Sequence, residues 1–245
     1  MFRYGVGRPI SKPSFFIRDL SLPEDAILFF TDYVKNEVVE KLLNGRDISP
    51  RVKPYLGEYD GCKIALIYPC FGAPATVMAI EVAVAAGVKR IYMLGEAGAI
   101  DESLHIGDYI IPTWGFREEG TSFHYIPLGN RIVYESNLSR DFMDFLRDKG
   151  VEYEPGGIWC IDAIFRETID KISYYSSLGA RCVDMESTAV MAVSIYRGVD
   201  SMIFLTISDE LYGGVWRTGW DSKELIKREV ESLYLVLEYI LSRVG

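Results

Sequence analysis

The sequence predicts a single three-layer α/β/α domain, in which helices cover both faces of a mixed central sheet. Short apolar runs of strand length alternate along the chain with longer segments of helical periodicity. One stretch, from Lys63 to Leu94, supplies a strand, a helix and a second strand, which implies a parallel pair with a right-handed crossover. The 245 residues contain no repeat, linker or low-complexity tract, so we expect one domain over residues 1–245.

The predicted elements follow from these periodicities. Strands are predicted at residues 26–30, 63–68, 90–94, 108–113, 157–161, 180–183 and 202–207. Helices are predicted at residues 32–44, 75–86, 139–149, 167–178 and 187–196, and a last helix runs from about residue 222 to the end of the chain. Residues 1–23 and 44–54 are predicted to be irregular, and residues 122–134 to form a hairpin or loop.

Cap and turn signals support several of these boundaries. Thr31 is placed to cap the first helix, which ends before Gly45. Asp221, with Glu224 three residues later, can form a capping box at the start of the last helix. The predicted apolar stripe of that helix consists of Ile226, Val230, Leu233, Leu237, Ile240, Leu241 and Val244. After the strand at 90–94, the glycines of residues 95–98 are expected to let backbone N–H groups crowd toward a ligand.

Composition and charge argue against several function classes. The chain has 26 Lys and Arg against 35 Asp and Glu, a net charge of −9 without a basic patch for nucleic acid. Prolines and glycines interrupt the apolar region at 64–94, so no membrane-spanning segment is expected. Four cysteines without a CxxC pair, three of them expected to be buried thiols, and an N-terminus without an apolar signal core favour a cytoplasmic protein. His105 and His124 lack metal-ligand spacing, so no metal is expected.

The stretch from Val183 to Glu210 carries the clearest chemical signal. Glu186 stands at the start of a predicted helix, and Asp209 is predicted to lie just past the end of the strand at 202–207. In an open parallel sheet ligands bind at the carboxyl ends of strands, so the two carboxylates are expected to meet at one rim. Carboxylates beside apolar segments need partners, which favours a chemical site over simple packing.

The motifs in and before this stretch resemble those of a known family. Val183-Asp-Met-Glu186 is similar to Val-Glu-Met-Glu, and Ile207-Ser-Asp209 to Val/Ile-Ser-Asp, in the purine nucleoside, uridine and methylthioadenosine phosphorylases, a family that includes nucleosidases. Supporting motifs are Gly72-Ala-Pro74 with Glu81, Gly95-x-x-Gly98 and Gly213-Gly-Val-Trp216, the last being similar to archaeal methylthioadenosine phosphorylases. The resemblance covers the chain from about Ala26 onward.

The resemblance implies a substrate and an assembly. The substrate is a purine nucleoside whose N-glycosidic bond is cleaved, with no cofactor and with inorganic phosphate as co-substrate if the protein is a phosphorylase. The relatives form dimer-based homo-oligomers, so we expect a trimer-of-dimers hexamer with sites completed across the dimer interface. The apolar loop at 213–216 favours a 5′-methylthio substituent, because an apolar loop suits an apolar thioether.

The resemblance also implies roles for individual residues. Glu186 would accept hydrogen bonds from the ribose hydroxyls and stabilise the positive charge that develops on the sugar. Asp209 would give or relay a proton to purine N7, so that the base leaves in a neutral form. The remaining matches are Met185 and Phe71 beside the sugar, Trp159 stacked on the base, and Arg217 on the base side.

These residues also have purely structural interpretations. Glu186 could favour the N-terminus of a helix through the helix dipole, and Asp209 could cap the turn that follows it. Trp159 could belong to the core. The occurrence of both acidic motifs at this separation favours the catalytic interpretation.

The phosphate subsite departs from the family pattern. Relatives have Arg-x-Gly-Ser/Thr at the end of one strand, whereas this chain has Met93 at the Arg position and Glu96 at the hydroxyl position. A second family Arg is replaced by Lys35, and the Arg that crosses the subunit boundary has a displaced counterpart in Arg51. A carboxylate against a phosphate dianion costs several kcal/mol even at an effective dielectric of about 20.

Three functional alternatives remain open at this stage. In a phosphorylase, which is the family default, phosphate would be held by Lys35, Arg51 and backbone amides around Gly95. In a nucleosidase, Glu96 would activate water and Lys35 would orient Glu96. A third alternative is a nucleoside-binding protein that has kept the pocket and lost catalysis.

Overall fold

The computed structural model describes residues 8–17, 20–127 and 129–243. The α-helices within these ranges are α1 Asp32–Lys41, α2 Ala73–Ala85, α3 Asn137–Asp148, α4 Ile169–Ser177, α5 Ser187–Arg197 and α6 Lys223–Ser242. The strands are β1 Asp25–Leu28, β2 Tyr55–Tyr59, β3 Cys62–Ile67, β4 Arg90–Ala99, β5 Tyr109–Arg117, β6 Arg131–Val133, β7 Glu154–Cys160, β8 Ala180–Asp184, β9 Asp200–Glu210 and β10 Arg217–Thr218. Short 3₁₀ turns lie at 13–16, 122–124, 164–166 and 212–214.

The strands form one mixed sheet, in the order β10-β9-β5-β7-β8-β4-β1-β3-β2, with β6 paired to β5. β1, β3, β4 and β9 run parallel where they pair, as the strand–helix–strand unit predicts. β9 pairs with β4 as well as with β5, and β8 pairs with both β7 and β4. The strands β4, β9, β5, β7 and β8 therefore close into a ring, which brings the ends of all five to one mouth.

Alternation along the strands builds a core on each face of the sheet. In β1, Ala26 and Leu28 contact the core under α2 and α5, whereas Ile27 and Phe29 contact the core under α1, α3 and α6. β4 and β9 alternate in the same way. The expected three-layer arrangement with a mixed central sheet is confirmed.

A third, smaller cluster lies between the sheet and α4. It contains Phe116, Trp159 and Leu211, with Tyr175 of α4 packed against it. This cluster stands beside the mouth of the strand ring, because β7 and β8 both contribute to it. Trp159 therefore has a place in the packing whatever its functional role.

The structure corrects the expected ends of the two strands that matter most. β4 continues to Ala99 and β9 to Glu210, because each is extended by pairing with the other, and β9 also gains β10. Asp209 thus lies inside β9, opposite Thr218, rather than past the end of the strand. Gly95 and Gly98 lie within the ladder, whose register shifts between Ala97 and Gly98, so residues 95–98 continue β4, and the expected approach of their N–H groups to a ligand stays a prediction.

Other corrections concern caps and segments. Ser222, not Asp221, caps α6 by accepting a hydrogen bond from the Leu225 N–H at 3.1 Å. β2 is an additional strand that pairs with β3. The predicted hairpin or loop at 122–134 contains a 3₁₀ turn and the strand β6. Val244 of the predicted stripe lies outside the described residues.

Two surface-related expectations have clear outcomes. The four cysteines are free thiols, but only Cys160 and Cys182 are buried, so the expectation of three buried thiols is wrong. Cys70 follows the end of β3 and is exposed. Within the described ranges, no helix combines the length and the apolar character needed to cross a membrane.

Candidate active site

The candidate site is a group of carboxyl side chains at the mouth of the strand ring. Glu186 follows β8 and occupies the N-cap position of α5, and Asp209 lies near the end of β9; each is 7% exposed. Burial, followed by the charges of Asp209 and Asp184, raises the pKa of Glu167, which lies just before α4. Glu167, which the sequence analysis missed, therefore lies between Asp209 and Asp184, and Asp184 in turn acts on Glu186.

Asp209 is held by two hydrogen bonds to its carboxyl oxygens. The Ser208 hydroxyl donates to Oδ1 at 2.7 Å, and the Trp216 indole N–H donates to Oδ2 at 2.7 Å. Burial raises the pKa of Asp209, and these two hydrogen bonds act in the opposite direction. A buried carboxyl with a raised pKa suits the role of an acid.

Gly98 makes room for Asp209 on the neighbouring strand. A Cβ at position 98 would lie 3.1 Å from Asp209 Oδ2 and 2.4 Å from Cδ1 of Leu211. The absence of a side chain therefore allows β4 and β9 to pair with the carboxyl between them. This gives the Gly95-x-x-Gly98 motif a steric explanation.

Glu186 is fixed by the loop before α2. The backbone N–H of Gly72 donates to Glu186 Oε1 at 2.6 Å, and Gly72 has a φ of 98°, a conformation suited to glycine. Burial and then the charge of Asp184 raise the pKa of Glu186 to about 8, against the Gly72 hydrogen bond. The motif Gly72-Ala-Pro74 thus joins Val183-Asp-Met-Glu186 through a direct contact.

Asp184 organises the start of α5 beneath Glu186. Its Oδ2 accepts hydrogen bonds from the backbone N–H and the hydroxyl of Ser187, at 2.9 and 2.5 Å. Its Oδ1 is buried without a hydrogen-bond partner among the described residues. Burial raises the pKa of Asp184 to about 6. The aspartate in this motif is therefore a buried neighbour of Glu186 as well as a helix cap.

The segment after β7 also belongs to the site. Asp162 accepts a hydrogen bond from the Gly120 N–H at 2.8 Å, and its charge contributes to the raised pKa of Glu186. Phe165, in the 3₁₀ turn at 164–166, is 84% exposed. Phe165 is therefore an exposed aromatic on the short segment that also carries Asp162 and Glu167. The sequence could have indicated this segment as part of the site, because it follows the carboxyl end of a predicted strand, where ligands bind in such sheets.

A second pair of carboxyls lies where the resemblance places phosphate. Glu96 of β4 is in hydrogen-bond contact with Glu229 of α6, and burial followed by this contact raises the pKa of Glu96 to about 10. Glu229 is 2% exposed, and its Oε2 accepts a hydrogen bond from the Thr31 hydroxyl at 2.6 Å. Its Oε1 receives no hydrogen bond from an N–H or hydroxyl donor among the described residues.

Glu229 was missed by the sequence analysis for a specific reason. The predicted stripe of α6 placed Ile226 and Val230 toward the core, but both are only half-buried. The buried face contains Leu225 and Leu233, which lie four residues on either side of Glu229. A glutamate at the centre of an apolar helical face is the signal that could have found it.

The cations expected in the phosphate subsite are engaged elsewhere. Lys35 Nζ lies 3.1 Å from Asp47 Oδ1, so the expected pairing of Lys35 with Glu96 is wrong. The Arg51 guanidinium lies 3.3 Å from the centroid of the Tyr55 ring, and its Nε donates to the Lys53 carbonyl at 2.7 Å. A surface cleft of about 380 Å³ on this basic loop is lined by Arg46, Asp47, Ile48, Ser49, Arg51 and Tyr55, and none of the site carboxyls lines it.

The predicted substrate-binding residues differ in their availability. Phe71 is 72% exposed and its ring stacks on Phe30, whereas Met185 is half-buried beside Glu186. Trp159 is fully buried and stacked on Tyr175, so a base could stack on it only if Tyr175 moved. The Trp159 indole N–H donates to Glu118 Oε2 at 2.8 Å.

Arg217 lies on β10 beside β9. Its guanidinium Nη1 donates to Glu210 Oε2 at 3.1 Å, on the residue after Asp209. Arg217 is exposed and pairs in register with Glu210, so its contacts in this structure are with Glu210 rather than with Asp209. Its predicted place on the base side stays a prediction.

Comparison with known proteins identifies the family. The sequence profile of the phosphorylase superfamily matches residues 13–242. The chain is 22% identical over 186 residues to a guanosine phosphorylase of Halorubrum lacusprofundi, which covers 76% of this chain and 77% of that protein. It is 23% identical over 184 residues to a DeoD-type purine nucleoside phosphorylase of Bacillus cereus, which covers 72% and 76% of the two chains.

Solved structures share the fold. Uridine phosphorylase from Vibrio fischeri superposes with a TM-score of 0.75 at 22% identity, over 95% of this chain and 98% of the other. The 5′-methylthioadenosine/S-adenosyl homocysteine nucleosidase of Campylobacter jejuni superposes with a TM-score of 0.73 at 19% identity, over 88% and 98%. The profile match, which spans nearly the whole chain, shows that this protein belongs to the phosphorylase superfamily.

Proposed function

We propose that the protein cleaves the N-glycosidic bond of a purine nucleoside. The observation that carries the proposal is the position of Glu186 and Asp209, which are both buried near the ends of β8 and β9 and belong to one group of carboxyls with Asp184 and Glu167. Membership of the superfamily and the purine nucleoside and guanosine phosphorylases among the relatives support the same substrate class.

The chemistry requires stabilisation at both ends of the breaking bond. Cleavage of the C1′–N9 bond leaves a positively charged sugar and a negatively charged base. Glu186, held by the Gly72 N–H, accepts hydrogen bonds from the ribose hydroxyls and lies beside the developing positive charge. Asp209 gives its proton to purine N7, so the base leaves neutral, and burial favours the protonated form that this step needs.

The exposed aromatic side chains suit the apolar parts of such a substrate. Phe165 offers a ring face for the base, and Phe71 a ring for the sugar. Val215 and Trp216 are also exposed, on the loop that leads from Asp209, and favour an apolar 5′ substituent such as methylthio.

We propose that dimers complete the site, as the exposed Arg51 loop suits a contact with a second copy.

Two acceptors of the ribosyl group are candidates. Phosphate is the acceptor in the relatives named phosphorylases. Water is favoured here by Glu96 and Glu229, because a phosphate dianion beside one carboxylate costs roughly 4 kcal/mol per pair of unit charges at an effective dielectric of 20. The engagement of Lys35 with Asp47 and of Arg51 with Tyr55 supports water further.

The test is incubation of the purified protein with methylthioadenosine, adenosine, inosine and guanosine, with and without phosphate, followed by chromatography of base and sugar. We expect release of base and free pentose without phosphate. Asp209→Asn should lower kcat by roughly 10²- to 10⁴-fold, because the acid is lost. Base release only with phosphate would establish phosphorolysis, and binding without release by the wild type would overturn the enzymatic proposal.

A further inference from the structure

Glu96, which is half-buried, and Glu229, which is buried, form a carboxyl pair with no cation against it among the described residues. The contact joins β4 to α6, two elements that are distant in the chain. Glu229 Oε2 is satisfied by the Thr31 hydroxyl at 2.6 Å, whereas its Oε1 lacks any donor except a protonated Glu96. A buried carboxylate oxygen without a donor costs free energy, so a proton held between the two carboxyls is the arrangement that satisfies both.

The pair also lies near Asp209, the proposed catalytic acid. Asp209 is the next charge that acts on Glu96, and Glu96 pairs with Thr206 in the ladder that carries Asp209. α1 supplies Lys35 one turn beyond Thr31, but its ammonium is paired with Asp47. Among the described residues of β4, β9, α1 and α6, the charge that bears on Glu96 besides that of Glu229 is therefore that of Asp209.

We propose that Glu96 and Glu229 share one proton and together act as the base that activates the attacking water. This inference rests on the proposed function, and it assigns to Glu229 a role that the sequence did not indicate. In a pair of carboxyls that share one proton, one carboxyl is ionised and can accept a proton from water. The other carboxyl carries the shared proton and is neutral. The same pair disfavours phosphate, because the dianion would meet the remaining negative charge.

The reaction then balances in protons and bonds. The water oxygen bonds to C1′ as the C1′–N9 bond breaks, and the electron pair of that bond goes to N9. Asp209 gives its proton to N7, and the water gives a proton to the carboxyl pair. Transfer of that proton back to Asp209 restores both groups, and the net reaction is nucleoside plus water to purine base plus pentose.

Glu96→Gln and Glu229→Gln test the pair, with Glu238→Gln on the exposed side of α6 as a matched control. The readout is kcat against pH for release of free pentose in the absence of phosphate. We expect both site variants to lower kcat roughly 100-fold at neutral pH, with KM for the nucleoside within threefold of wild type. The acidic limb, at which the pair takes up a second proton and can no longer accept one from water, should shift in both variants, whereas the alkaline limb set by Asp209 should remain.

A structural role for the pair predicts something different. It would lower the unfolding temperature and leave the shape of the pH profile unchanged. Added formate should raise kcat of Glu229→Ala at least tenfold over its value without formate, because formate can occupy the place of the lost carboxylate. A Glu229→Gln variant with the wild-type kcat and pH profile would overturn the proposal.

A spectroscopic measurement on the wild type keeps the proposal testable if the variants do not fold. Infrared difference spectra over a pH titration should show a protonated carboxyl that persists above the pKa of about 8 of Glu167 and Glu186, and its absence would overturn the shared proton. Failure of the proposed function has a different signature. If base is released only with phosphate, water is not the acceptor and the proposed hydrolysis fails. If base is released without phosphate and Glu229→Gln has the wild-type kcat, hydrolysis stands and only the role of the carboxyl pair fails.

Discussion

The indole N–H of Trp216 donates a hydrogen bond to Oδ2 of Asp209, across 2.7 Å. The loop that carries Trp216 turns at Gly213 and Gly214, both at a φ of 74°, and Trp216 is 45% exposed. The proposed acid is therefore held by a side chain on a glycine-hinged surface loop.

Trp216→Phe should move the alkaline limb of the pH profile to higher pH. The hydrogen bond stabilises the charged form of Asp209 and lowers its pKa, so its removal lets the acid stay protonated at higher pH. Because the loop also loses its anchor, kcat/KM should fall roughly three- to tenfold at neutral pH. The measurement is kcat/KM for the best nucleoside across the pH range.

Trp220→Phe is the matched control for this prediction. Its ring lies 5.3 Å from that of Trp216 in an edge contact, and among the described residues Asp209 accepts its hydrogen bonds from Ser208 and Trp216 instead. Its pH profile should coincide with that of wild type. An alkaline limb that stays in place in Trp216→Phe would show that the indole N–H does not tune the acid.

Gly98→Ala should abolish most activity while the protein still folds. The added Cβ would lie 3.1 Å from Asp209 Oδ2, so the carboxyl must shift, and 2.4 Å from a terminal methyl of Leu211 that can rotate away. We expect kcat to fall at least tenfold, because a shift of the acid by less than 1 Å is costly for catalysis. Gly129→Ala serves as the control and should behave as wild type, because a Cβ there would lie 3.8 Å from the Arg131 carbonyl oxygen, an ordinary van der Waals distance.

The sequence predicted the fold class and the two central acids because both depend on local patterns. Short apolar runs of strand length marked β1, β3 and β9, and helical spacing after Glu186 marked the helix that it precedes. The length of β4 and β9 was not predictable locally, because Gly95 and Gly98 disfavour a strand and only pairing with β9 keeps them extended. Closure of the strand ring is a property of long-range pairing in the same way.

The site was less predictable than the fold because its charge balance depends on residues far apart in the chain. Glu229 reaches Glu96 from a helix more than 100 residues later, and nothing in either local motif indicates the contact. Lys35 was expected beside Glu96, but Asp47 in the following loop pairs with it instead. The sequence motifs therefore indicated which segments belong to the site. Which charged side chains pair there, such as Glu96 with Glu229 and Lys35 with Asp47, depends on tertiary contacts.

Phe165→Ala should weaken substrate binding more than Trp159→Phe. Phe165 is 84% exposed in the segment after β7, whereas Trp159 is buried against Tyr175. A stacked aromatic contact is worth about 0.5–1.5 kcal/mol, which corresponds to roughly a three- to tenfold rise in KM for Phe165→Ala. Trp159→Phe should instead lower the unfolding temperature, since it removes the hydrogen bond to Glu118. A larger rise in KM for Trp159→Phe would restore Trp159 as the residue that stacks on the base.

The buried carboxyls should make the protein less stable as the pH rises. Burial and the charges of Asp209 and Asp184 raise the pKa of Glu167 from 4.5 to about 8, and the pKa of Glu186 is raised to about 8 as well. A carboxyl with a raised pKa in the folded state binds its proton more tightly there than in the unfolded chain. Its contribution to stability is therefore present below the unfolded pKa and is lost as the pH rises through the folded pKa.

The free energy of unfolding should consequently fall between about pH 5 and pH 8, as measured by denaturant titration at a series of pH values. Glu167→Gln should flatten that fall, because a neutral amide keeps the same value in both states. Glu238→Gln, on the exposed face of α6, should leave the slope unchanged. Equal slopes for Glu167→Gln and wild type would show that Glu167 is not held protonated in the fold, and would remove it from the group that connects Glu186 with Asp209.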